Sequence, residues 1–93
     1  PEEYSLQQNY PNPFNPSTQI NFYIPKDEFV SISVLDIKGR EVATILHGKQ
    51  MAGSKSVRWN GIDHQGKILP SGIYICLMKT NDLILKRKMI LLR

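Results

Sequence analysis

Nucleophilic chemistry needs a hydroxyl or thiol within reach of a base, so the serines, the cysteine and the histidines come first. The sequence offers serines that include Ser17, Ser31, Ser33, Ser54, Ser56 and Ser71, with His47 and His64 as its two histidines. It carries no Gly-x-Ser-x-Gly elbow, and neither histidine stands in a triad context. Cys76 sits mid-strand among apolar neighbours, which raise a thiol pKa rather than activate it. As the single cysteine, it also excludes an internal disulfide and any Cys-based zinc site. For metals, Asp63 and His64 share a turn with Asn60 close by, and Asp36 opens another. No EF-hand, His-x3-His or Cys-pair spacing accompanies them, so these acids are expected to cap turns. Trp59 and the four tyrosines raise the idea of a stacking platform for sugars or single-stranded nucleic acid. Trp59 alternates with Val57 around Arg58, and Tyr74 is flanked by core-type residues, which assigns both to a core. The expectation is a protein that is not an enzyme, binds no cofactor or metal, and has no nucleic-acid partner.

The chain has 93 residues, 41% hydrophobic and 22% charged, which fits one small domain and is too apolar for a disordered tail. Twelve Lys and Arg against eight Asp and Glu give a net charge of +4, and much of the excess falls late, at Lys79, Lys86, Arg87, Lys88 and Arg93. Such a run can meet phosphates, an anionic membrane face or solvent. No apolar run approaches the ~20 residues that span a bilayer, and no basic-then-apolar signal peptide is present. The start at Pro1 rather than Met reads as a piece of a longer protein, with any export signal upstream.

The elements that must position these residues are strands. Ile20, Phe22 and Ile24 alternate onto one face, as do Val30, Ile32 and Val34, with Ser31 and Ser33 opposite. Val57 and Trp59 mark another strand. Gly72 to Lys79 reads as a strand buried on both sides, because Ile73, Ile75 and Leu77 oppose Tyr74, Cys76 and Met78. A last strand runs from about Leu83 to Leu92. Val42, Ile45 and Leu46 have a spacing that also suits a helix, but β-branched neighbours and short length favour a strand. Asp36-Ile37-Lys38-Gly39 and Asp63-His64-Gln65-Gly66 share one turn form, with Asp to accept backbone N–H bonds and Gly to close. Asn60-Gly61 and Pro70-Ser71-Gly72 add two more breaks. About seven strands and no helix predict an all-β fold, a small antiparallel sandwich. Before it, Pro11, Pro13 and Pro16 predict a stiff extended lead-in with Phe14 as a plug for the sandwich.

Several segments together resemble one family. Tyr10-Pro11-Asn12-Pro13-Phe14-Asn15-Pro16, followed by Thr18 and Ile20, resembles the opening of the type A C-terminal sorting domains of the type IX (Por) secretion system. Val34 to Val42, including Asp36, Gly39 and Arg40, resembles the second motif of that family. Ala52-Gly53 with Val57-Arg58-Trp59-Asn60-Gly61 resembles its middle, and Ser71-Gly72-Ile73-Tyr74 with Arg87-Lys88-Met89-Ile90-Leu91-Leu92-Arg93 resembles its end. The four motifs keep their order and spacing from about Leu6 to Arg93. Cys76 and Leu77 stand where such domains often carry an aromatic and a basic residue. A related pattern occurs in the Ig-like domain of flagellar hook-capping proteins.

The resemblance implies an immunoglobulin-like sandwich over residues 18–93, led by residues 1–17, in a single sorting domain. It implies an address tag that directs an upstream cargo domain of the same chain across the outer membrane. Its partners would be the outer-membrane translocon and a sortase-like cysteine protease, which removes the tag at a point near or before Pro1 and attaches cargo to lipopolysaccharide. Its location would be the periplasm in transit, then the cell surface or the medium. In that scheme Pro11, Asn12, Pro13, Phe14, Asp36, Gly39, Trp59, Gly61, Gly72 and Tyr74 make the fold. Lys88, Met89, Ile90, Leu91, Leu92, Arg93 and Arg40 are the recognition candidates, because an exposed terminal strand offers main-chain hydrogen bonds plus charge. The competing reading is an Ig-like accessory, carbohydrate-binding or spacer module of a surface enzyme.

Overall fold

A computed structural model describes residues 3–93; the expected cleavage point near or before Pro1 lies outside them. Seven strands form, and no helix is present among the described residues: β1 Ser5–Leu6, β2 Thr18–Ile24, β3 Glu28–Leu35, β4 Glu41–Gln50, β5 Gly53–Trp59, β6 Gly72–Lys79 and β7 Ile84–Leu91. They pair antiparallel in two sheets, ordered β1-β2-β5 and β4-β3-β6-β7. The alternation seen in the sequence is what closes the sandwich. Ile20, Phe22 and Ile24 of one sheet face Val30, Ile32, Val34, Cys76, Met78, Met89 and Leu91 of the other, all at most 2% exposed. Each such side chain contributes about 1.5–3 kcal/mol by leaving water.

β4 explains its own ambiguity. Its ladder with β3 pairs Ile32 with Leu46 and Ser33 with Thr44, then Val34 with Ala43 and Leu35 with Glu41. Ile45 and Val42 are therefore left over as bulged residues, and two bulges shift a period-2 pattern into one that mimics a helix. β6 departs from expectation. Tyr74, Cys76 and Met78 are buried, but Ile73 is 43% exposed and Ile75 and Leu77 are only half-buried. The apolar residues on both sides predicted two covering layers, whereas the second sheet covers only one.

The lead-in is not simply extended. It contributes β1, which adds to β2 through Leu6 and Phe22, and then bends from Tyr10 to Ser17. Tyr10 and Gln19 exchange backbone hydrogen bonds of 2.9 and 2.8 Å and so close the loop between them. Inside it, buried Asn9 donates to Thr18 Oγ1 (2.9 Å) and Pro11 O (3.1 Å), and Thr18 donates to the same carbonyl (2.8 Å). A buried amide and hydroxyl satisfied in this way hold the bend, because leaving either unpaired costs about 1–3 kcal/mol. Phe14, 1% exposed, plugs the core as expected and packs against Trp59 at 5.7 Å between ring centroids. All three X–Pro peptides of this loop are cis.

Candidate functional site

The two Asp turns are built alike. Asp36 Oδ1 accepts the N–H groups of Lys38 and Arg40 at 2.9 and 3.0 Å, and Asp63 Oδ1 accepts those of Gln65 and Lys67, both at 2.9 Å. Gly39 and Gly66 close them at φ +83° and +82°, in the left-handed region. Backbone donation from Arg40 holds the Asp36 carboxyl below its ordinary range, and donation from Lys67 does the same for Asp63. Arg40, a recognition candidate, also donates from Nε to Asp36 Oδ2 at 2.9 Å, so its guanidinium is a partner of its own turn.

The terminal strand differs more from expectation. Met89 and Leu91 have no exposed surface, since they alternate inward opposite Tyr74 and Gly72. Arg93 is a clasp: its Nε donates to Leu69 O (2.6 Å), its Nη2 to Gly61 O (2.7 Å), and its backbone N–H to Ser71 Oγ (2.8 Å). A Cβ on Gly61 would meet Arg93 Nη2 at 2.7 Å, so glycine is what allows the clasp to close. Lys88 and Leu92 are exposed and Ile90 is half-buried. The free edge of β7 is not open as predicted, because the lead-in lies along it. Gln8 Nε2 donates to Lys88 O (2.7 Å), Ile90 N–H donates to Asn12 Oδ1 (2.9 Å), Phe14 N–H donates to Ile90 O (2.9 Å), and Leu92 N–H donates to Phe14 O (2.9 Å). Arg87 Nε reaches Leu6 O at 2.7 Å and ties the two sheets together at the same margin. Asn12 was legible as a fold residue; its partner 78 positions away was not.

The remaining chemistry is structural. Trp59 donates to Ile62 O (3.1 Å), stacks edge-on against Tyr74 (5.8 Å), and Tyr74 donates to Pro70 O (2.7 Å), so both rings are in the core. Burial pushes the Cys76 thiol up to about 12 and the Tyr74 phenol above its ordinary value. His47 packs edge-on against Phe29. His64 Nε2 lies 3.4 Å from Glu41 Oε2, and Thr44 Oγ1 donates to that same oxygen (3.2 Å). The carboxylate thus stands between hydroxyl and imidazole, where a triad needs the imidazole in the middle. No three His, Cys, Asp or Glu side chains converge as a metal site among the described residues. Sequence reasoning missed a cluster at the opposite end, where the Tyr4 hydroxyl meets Glu28 Oε2 (2.5 Å) and Asp82 Oδ2 (2.9 Å) and Lys26 pairs with Asp82 (3.1 Å). The hydrogen bond to Glu28 is the main cause of the raised Tyr4 phenol pKa. Nothing periodic marks these residues, since they come from the segment before β1, the β2–β3 turn with the start of β3, and the β6–β7 turn.

Two packed antiparallel sheets with these connections define an immunoglobulin-like sandwich. The FlgD Ig-like domain family matches residues 12–82, and the chain belongs to that family. FlgD from P. aeruginosa is similar at 30% identity and a TM-score of 0.64, over 80% of this chain and 60% of that one. Dimeric latent PorU from Porphyromonas gingivalis is similar over 99% of this chain and 9% of that one, at 20% identity and a TM-score of 0.73. PorZ, a bacterial surface component of the type-IX secretion system of the same organism, is similar over 97% of this chain and 11% of that one, at 19% identity and a TM-score of 0.62. The likeness to PorU and PorZ is one of fold. In each case the chain spans less than two thirds of the protein it resembles. No curated protein matches the chain.

Proposed function

We propose that this chain is a type A sorting domain of the type IX secretion system, an address tag carried by a larger exported cargo. The observation that carries the reading is the meeting of its first and last motifs. The Pro-Asn-Pro-Phe segment hydrogen-bonds to the terminal strand through Asn12 and Phe14, so the motif series folds as one closed unit. The likeness in fold to PorU and to PorZ, over nearly the whole chain, supports it. In this reading the domain is a substrate of the machinery and not an enzyme. Its partners are the outer-membrane translocon and a sortase-like cysteine protease, and it passes through the periplasm to the cell surface or medium.

Fusing residues 1–93 to a periplasmic reporter, in a host with this system, tests the tag. Export of the reporter is expected, with Lys88→Ala reducing it while the melting curve stays unchanged. A chain cut after Lys88 is a poor test, because it removes buried Met89 and Leu91 and unfolds the sandwich. Periplasmic retention of the intact, folded fusion sinks the reading. The family match and the 30% identity to FlgD favour the second reading, an Ig-like spacer module. Retention of a folded fusion would assign the chain to that role. A sugar platform has less support, since Trp59 and Tyr74 are both buried.

A further inference from the structure

We infer that the outer face of the four-stranded sheet is a docking surface for a protein partner that presents apolar side chains inside an acidic rim. The inference rests on the sorting reading and names the surface that the machinery reads. β6 carries apolar residues on both sides, yet only its inner side is covered. On the outer side Ile73, Ile75 and Leu77 run along β6, with Leu35 beside Ile75 on β3 and Ile90 beside Ile73 on β7. Outward faces of antiparallel sheets are ordinarily polar. Next to this stripe lies a shallow groove of about 590 Å³, floored by the small side chains of Ser31 and Ser33. The charged groups on the same face are Lys49, Lys79, Lys86 and Lys88 against the lone carboxylate of Glu41. An apolar centre framed by lysines is complementary to an acidic rim.

Pairing along the edges of this sheet is limited. From Lys88 to Leu92 the β7 edge is occupied by the lead-in through Gln8, Asn12 and Phe14. The β4 edge shifts register twice, and its Val42 carbonyl already accepts His64 N–H at 2.9 Å. A lipid surface fits less well, because Leu35, Ile75, Leu77 and Ile90 at the centre of the stripe are half-buried among their neighbours. Insertion among acyl chains needs a freely exposed apolar face. A second copy would bring two positively charged faces together. Strands about 4.8 Å apart and about 3.4 Å per residue make the face roughly 14 by 27 Å. That is about half of one partner's share of a standard interface, the size of a transient contact.

The test uses the reporter fusion with three tags: Lys86→Glu/Lys88→Glu, Leu77→Ser, and Gln19→Glu/Ser56→Glu on the opposite outer face. Each purified tag is checked by melting curve, sedimentation velocity and flotation with phosphatidylglycerol vesicles. The expected result is at least a tenfold loss of export for the first two tags, with every tag still folded at the temperature of the assay and the third exporting as the unchanged domain does. If the unchanged domain exports and all three variants export equally, the docking surface is wrong while the sorting reading stands. If the unchanged domain is retained, the sorting reading falls and takes this surface with it. Dimerisation abolished by Leu77→Ser would assign the face to a second copy. Flotation abolished by Lys86→Glu/Lys88→Glu would assign it to lipid. Either result overturns the protein partner.

Discussion

The two outer faces of the sandwich are made by the same alternation and could hardly differ more. On the three-stranded sheet Ser5, Gln19, Asn21, Tyr23, Ser54 and Ser56 point outward, with Arg58 as the charge. Gln19 donates to Asn21 Oδ1 (3.0 Å) and Arg58 to Ser17 Oγ (3.1 Å), so this face binds its own neighbours and water. The four-stranded sheet turns Leu35, Ile75, Leu77 and Ile90 outward instead, between lysines. Both inner faces supply the one core, so the core does not explain the contrast. Period-2 patterning decides which side of a strand is inside; the chemistry of the other side tells whether that side was meant for water.

The largest expected effect sets the baseline shared by both faces. Phe14→Ala removes the plug that meets Trp59, and Met78→Ala opens a cavity on the inner side of β6. These substitutions are expected to cost about 3–5 and about 2–5 kcal/mol respectively, read from denaturant midpoints. Leu77→Ser, one residue away on the outer side of β6, is expected to cost under about 1 kcal/mol. A loss for Leu77→Ser as large as that for Met78→Ala would break the comparison, since the outer face would then be part of the core.

The smallest effect concerns the two Asp turns, one between β3 and β4 of the four-stranded sheet and one in the β5–β6 crossing between the sheets. Both Asp36 and Asp63 have folded-state pKa values below the ordinary carboxylate value of about 3.9. Their stabilisation is therefore complete above that value and is lost as pH falls through the lowered folded values. Asp36→Asn/Asp63→Asn should flatten the decline of melting temperature between roughly pH 5 and 2. An unchanged acid limb would show that neither carboxylate contributes to it.

The turns were legible because each is local: Asp and Gly three positions apart, with donors two and four residues on, leave one arrangement. The strands were legible for the same reason, and so was the plug, the one large apolar side chain among three prolines. β4 was half legible, since bulges at Val42 and Ile45 disguise its period. The recognition candidates were the least legible. Met89, Leu91 and Arg93 carry side chains that suit either a partner or the fold, and only packing decided that they serve the fold.

The sequence by itself determined the strands from β2 onward, the inner faces of β2 and β3, the two Asp turns and the core roles of Phe14, Trp59 and Tyr74. Each follows from spacing within a few residues, where backbone geometry permits few alternatives. Tertiary structure alone decided that the lead-in seals the terminal strand, that Arg93 clasps the loop around Gly61, and that β6 is covered on one side only. Those outcomes depend on single polar atoms brought together from distant parts of the chain, and on how many sheets stack against one another. Neither leaves a periodic trace in the order of residues.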